Sequence, residues 1–156
     1  MRRLAVVLRR ALALVASLGA LCWAGAAGAA TVCTVTITTL AFGTFVGAQL
    51  NTTATATVDC SGIKPDASIP LTIAVNGGGG TIAARRMVNG ANQLSYQIYT
   101  DAARSIVWGD GTTGSTVAGS SSNSVNSVHT VYGRVPAATT PPSGAYTDTL
   151  TFTVTF

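Results

Sequence analysis

Apolar and polar residues alternate with a period of two through most of the chain, and the period of 3.6 that marks a helix is not the dominant one. Cys33, Val35 and Ile37 alternate with Thr34, Thr36 and Thr38, which predicts a first strand ending near Leu40. Ala54, Ala56, Val58 and Cys60 alternate with Thr53, Thr55, Thr57 and Asp59 and predict a second, with its cysteine on the apolar face. Leu71, Ile73 and Val75 make a third, closed by the glycine run at residues 77–80. Leu94, Tyr96 and Ile98 make another, and a further strand is expected from Val128 to Val135. The clearest alternation comes last: Leu150, Phe152, Val154 and Phe156 against Thr149, Thr151, Thr153 and Thr155. Residues 112–127 are mostly Gly, Ser, Thr and Asn with little to bury and read as a mobile loop, and residues 136–144 read as a Pro-rich connection. Six or seven short strands with Gly and Pro punctuation predict an all-β fold, an antiparallel sandwich.

The N-terminus breaks this pattern. Arg2, Arg3, Arg9 and Arg10 precede an apolar run from Ala11 to about Ala24, followed by a tail of alanine and glycine. That layout is a signal peptide's, with cleavage expected after Ala29. The apolar run is shorter than the roughly 18 to 20 strongly apolar residues of a membrane span, so no stable membrane anchor is expected. Residues 1–29 are therefore assigned to the signal peptide and residues 30–156 to one exported domain.

Cleavage changes the charge. The chain has a net charge of +4, but four of its nine basic residues lie in the leader. Lys64, Arg85, Arg86, Arg104 and Arg134 then face Asp59, Asp66, Asp101, Asp110 and Asp148, a balance that removes the electrostatic footprint of a nucleic-acid binder. Cys22 leaves with the leader, so Cys33 and Cys60 remain as a pair in an oxidising compartment, both on inward faces. A disulfide between them closes a loop of about 28 residues, for a stabilisation of about 3.5 kcal/mol in the chain-entropy model.

Catalytic groups are scarce. Beyond the leader there is one histidine, His129, and no glutamate, so no nucleophile, base and orienting acid are set out, and no enzyme activity is expected. No metal or other cofactor is expected, because the five aspartates are scattered. Asp110, in Trp108-Gly109-Asp110-Gly111, reads as a turn residue, and the glycine run at residues 77–80 as a hairpin turn, since it lacks the following lysine and helix of a phosphate loop. Tyr96, Trp108, Tyr132 and Phe152 are assigned to the core in preference to a ligand platform.

Several motifs in order carry a resemblance. They are Cys33 with Phe42-Gly43, then Cys60, Arg86-Met87, Leu94-x-Tyr96, Asp101, Trp108-Gly109-Asp110-Gly111, Tyr132-Gly133-Arg134-Val135-Pro136 and Gly144-x-Tyr146-x-Asp148. Residues 32–156 resemble the spore coat protein U domain family, which includes subunits of Csu-type archaic chaperone-usher pili. The resemblance implies an incomplete immunoglobulin-like sandwich lacking its final strand. Its implied partners are a periplasmic chaperone, which lends a strand beside residues 149–156 and anchors the Phe156 carboxylate, an outer-membrane usher, and neighbouring subunits. Leu150, Phe152, Val154 and Phe156 are then the candidate groove residues. The alternatives are a secreted coat protein that associates laterally without strand donation, and a monomeric carbohydrate-binding sandwich.

Two features do not fit the simple pattern. Asp148 shares parity with Tyr146 and Leu150, so a regular strand turns its carboxylate inward. Either a bulge shifts the register, or Asp148 finds a partner, for which Arg134 is the candidate, or it lies in water at an open strand end. A strand donor also needs about ten residues ahead of its first strand, whereas only Ala30, Thr31 and Val32 separate the expected cleavage from Cys33. This suggests a subunit that accepts a strand without donating one, as at a tip or terminus.

Overall fold

The computed structural model describes residues 30–156. The expected leader, Cys22 and the cleavage site lie outside the described residues. Eight strands form: β1 (Val32–Ile37), β2 (Leu50–Ser61), β3 (Ile69–Val75), β4 (Arg85–Asn89), β5 (Asn92–Tyr99), β6 (Val117–Ser121), β7 (Ser127–Val135) and β8 (Phe152–Thr155). A five-stranded sheet in the order β1-β2-β7-β5-β4 faces a three-stranded sheet in the order β6-β3-β8, with every pairing between named strands antiparallel.

The alternation read from the sequence is the alternation of burial. Ala54, Ala56, Val58 and Cys60 of β2 are buried, as are Val131 and Val135 of β7, while the threonines between the β2 residues are more exposed. Ile73, Val75 and Leu71 of β3 close over them from the facing sheet, and Ile98 and Leu94 of β5 extend their own inward face. Trp108 is completely buried, with its Nε1–H donating to the Ile73 carbonyl at 3.0 Å and Phe152 meeting it edge-on at 5.5 Å between ring centroids.

Cys33 stands directly opposite Cys60 in the β1–β2 register, with Cα atoms 4.0 Å apart, and the two are disulfide-bonded. The bridge lies within one sheet and ties its edge strand to the next strand in.

The structure departs from the sequence expectations in several places. β4 was not anticipated, because its two inward residues are Arg85 and Met87, and an arginine at a core position hides the period of two. β4 and β5 are joined by a two-residue turn, Gly90-Ala91, whose glycine has the positive φ of 58° that such a turn requires. β6 lies inside the segment expected to be a mobile loop. Its residues have little apolar character, and it is a strand because its backbone pairs with β3 from Ile69↔Ser121 to Ile73↔Val117. β8 begins at Phe152, three residues later than the alternation suggests, and β1 ends at Ile37, with Thr38 still donating its N–H to Thr55. Of the four aromatics assigned to the core, Tyr96 and Trp108 are buried and Phe152 is half-buried. Tyr132 instead lies on the outward face of β7, half-covered by the Arg104 guanidinium 5.7 Å from its ring centroid.

Candidate functional site

The two sheets do not close along one side. β8 pairs with β3 through four residues, Phe152 to Thr155, and among the described residues no strand pairs with its other edge. β1 is likewise an edge, paired only with β2. Between residues 37–43, which run on from β1, and residues 146–152, which lead into β8, lies an open groove of about 470 Å³. Ala54, Met87, Tyr96 and Val131 form its floor, and Ile37, Leu40, Phe42, Leu150 and Phe152 contribute apolar walls.

The wall at residues 37–43 depends on a glycine across from it. A Cβ on Gly133 would come within 2.7 Å of the Phe42 ring and 3.0 Å of a Leu40 methyl, so any larger residue would push both side chains off β7. Phe42 in turn meets Tyr96 edge-on at 5.9 Å.

Among the described residues Asp148 is the one charged side chain lining the groove. It is half-buried, and it is held by three donors: the Tyr96 hydroxyl at 2.6 Å, the Gly79 N–H at 2.8 Å and the Thr149 N–H at 2.8 Å. The glycine run at residues 77–80 forms the expected turn, closed by Gly80 N–H to the Gly77 carbonyl, and also wraps this carboxylate. Gly78 has a φ of 61°, and a Cβ there would sit 2.1 Å from an Asp148 oxygen. Burial raises the pKa of the Tyr96 hydroxyl well above the usual phenol range, and the bond to Asp148 adds to the effect.

The proposed partner of Asp148 is corrected by the structure. Arg134 lies on the outward face of β7, where it donates to Asn51 Oδ1 at 3.3 Å and sits 5.8 Å from the Tyr99 ring centroid. Parity decides this: Val131, Gly133 and Val135 face inward, so Arg134 cannot. The inward carboxylate is met by Tyr96 and Gly79 instead.

Beneath the glycine loop is Arg85, fully buried, which the sequence shows only as one of five basic residues beyond the leader. Its guanidinium donates twice to the Asn76 carbonyl, at 3.1 and 2.8 Å, to the Trp108 carbonyl at 2.8 Å, to the Ile82 carbonyl at 3.4 Å and to Gln97 Oε1. Burial lowers its pKa, against the favourable fields of Tyr96 and Asp148. The arginine thus ties the loop after β3 to β5 and to the Trp108 turn. An apolar-pattern search passes over such a residue, whose sequence signal is its place two residues before Met87, on the same face of the strand.

The candidate groove residues divide. Leu150 and Phe152 line the groove, Val154 is half-buried against the core, and Phe156 is 57% exposed beyond the end of β8. Asp110 accepts from Thr112 and Thr113 N–H groups at 2.9 and 2.7 Å, as a turn residue does, and these bonds lower its pKa.

An antiparallel two-sheet sandwich with an unpaired edge strand beside an apolar groove defines the structural class. Comparisons with known proteins agree on the class. The chain belongs to the spore coat protein U domain family, whose model matches residues 20–153. It is 36% identical over 131 residues to Protein U of Myxococcus xanthus, covering 76% of this chain and 72% of that protein. Its fold is similar to a chain in the crystal structure of the CsuC–CsuE chaperone–tip adhesion subunit pre-assembly complex from the archaic chaperone–usher Csu pili of Acinetobacter baumannii. The TM-score is 0.53 at 20% identity, and the match covers 81% of this chain but only 40% of that one. At that identity the likeness is one of fold.

Proposed function

We propose that this chain is a structural subunit of a surface fibre, completed by a strand from another chain: first a periplasmic chaperone's, then, at an outer-membrane usher, a neighbouring subunit's. The observation that carries the reading is the free edge of β8 beside the open groove, where Leu150, Phe152 and Val154 are only half-covered. A donated strand would supply the missing main-chain partners of β8 and bury about four or five apolar side chains, a gross gain of roughly 6 to 15 kcal/mol at about 1.5 to 3 kcal/mol each. That is comparable to the whole stability of a domain. The test is to append an alternating apolar strand after Phe156 and compare thermal unfolding with the unmodified chain. A large rise in melting temperature is expected, and no rise would overturn the reading.

A second reading, lateral association in a coat without strand exchange, is favoured by the 36% identity to Protein U and by the name of the family. It predicts a free monomer that is already stable and gains nothing from the appended strand. Within the fibre reading we propose a tip or terminal position, because the expected cleavage after Ala29 would leave two residues ahead of β1, too few to fill a neighbour's groove. N-terminal sequencing of the exported protein checks this, and a start at or before residue 20 would sink it.

A further inference from the structure

We infer that the strand filling this groove carries a basic side chain, lysine or arginine, where it passes Asp148. The inference rests on the strand-acceptor reading above and concerns what that strand must contain. Among the described residues Asp148 is the one charged group lining an otherwise largely apolar groove. Its Oδ1 accepts from Gly79 and Thr149, and its Oδ2 from Tyr96. A carboxylate offers about four acceptor positions, so one remains. No basic side chain among the described residues donates to it: Arg85 spends its donors on carbonyls and Gln97, and Arg134 is on the opposite face of its sheet.

In the open groove, water can solvate the free side of this half-buried carboxylate. An inserted strand removes that water; Arg85, whose charge lies within the field of Asp148, donates no bond to it, so the free acceptor position would be desolvated without a bonded counter-charge, which is costly. An apolar side chain at this point would leave the cost standing, and an acidic one would add repulsion. A basic one turns the same carboxylate into an attractive contact. The charge also sets register. Side chains alternate faces along a strand, so a slip of one residue sends the basic group out of the groove, and a slip of two displaces it by about 6.6 Å. Apolar pockets alone accept such slips more readily, so Asp148 selects both which strand enters and how far it slides.

The experiment uses the full mature chain with a donor strand appended after Phe156 through a flexible turn. The strand is apolar at alternate positions, and lysine, alanine or glutamate is placed in turn at each inward position. Urea unfolding is followed for each fusion, in the natural sequence and with Asp148→Asn, which keeps an oxygen for Gly79. One position is expected at which lysine raises the folding equilibrium constant about tenfold or more over glutamate. That difference should disappear with Asp148→Asn. If all-apolar strands stabilise the chain but lysine, alanine and glutamate behave alike at every position, the inference fails and the acceptor groove stands. If no appended strand stabilises the chain, the groove reading itself fails. The scan in the natural sequence decides the matter even if Asp148→Asn does not fold.

Discussion

Replacing Arg85 tests how the loop beside the groove is held. Its guanidinium is buried and makes bonds of 2.8 to 3.1 Å to the carbonyls of Asn76 and Trp108, with Gln97 and Ile82 completing the set. Arg85→Met keeps an unbranched chain of similar reach and removes every donor. The carbonyls of Asn76 and Trp108 would then be left without these donors, at about 1 to 3 kcal/mol each. Relief of the buried charge's desolvation offsets part of that loss. The net expectation is a destabilisation of about 3 kcal/mol, below the upper end because the guanidinium's own burial cost disappears with it. Arg85→Lys keeps the charge but replaces a planar fork by a single ammonium, which cannot reach acceptors on both sides, so it should be no better than methionine. The assay is urea unfolding followed by fluorescence of Trp108, which is fully buried and accepts one of the bonds through its carbonyl. A methionine variant as stable as the natural protein would refute the reasoning, because the side chain would then be acting by volume alone.

Removing the Cys33–Cys60 bridge by serine substitution at both positions should cost about 3.5 kcal/mol from the released loop entropy. Non-reducing electrophoresis confirms the bridge in the natural protein, and urea unfolding of the variant compared with that disulfide-bonded protein checks the cost; a loss below about 1 kcal/mol would count against it. His129 predicts a pH dependence. Burial lowers its folded-state pKa below the ordinary 6.5, so the unfolded chain takes up the proton first. Its contribution is therefore complete above about pH 6.5 and is lost as pH falls from there toward the folded value. Protonation would also disturb the 2.8 Å contact between Nε2 and the Ser127 hydroxyl if that nitrogen is the acceptor. Urea midpoints at pH 7.5 and 5.5 should differ in the natural protein and differ less in His129→Gln. Asp101 and Asp110, whose pKa values are lowered by backbone hydrogen bonds, act in a separate window, with stability present above about pH 4 and lost below it.

Alternation along the chain was enough to identify the strands at residues 33–37, 54–60, 71–75, 94–98 and 128–135, and for the first four to say which face is buried, because side-chain parity is a local property of extended backbone; in the fifth, Tyr132 was expected inward and faces outward. It also placed both cysteines inward and made the last strand apolar on one side. It did not say which strand neighbours which, since parity names a face and not a partner. β6 exists through its pairing with β3, and β4 through a buried arginine whose acceptors come from residues 76, 82, 97 and 108. Asp148 illustrates the division most clearly. Its inward direction was legible from Tyr146 and Leu150, but its partners, Tyr96 and Gly79, lie 52 and 69 residues away in sequence. Only the folding together of β5, the glycine loop and the segment leading into β8 brings them within hydrogen-bond distance. The same tertiary arrangement leaves the edge of β8 uncovered and the groove open.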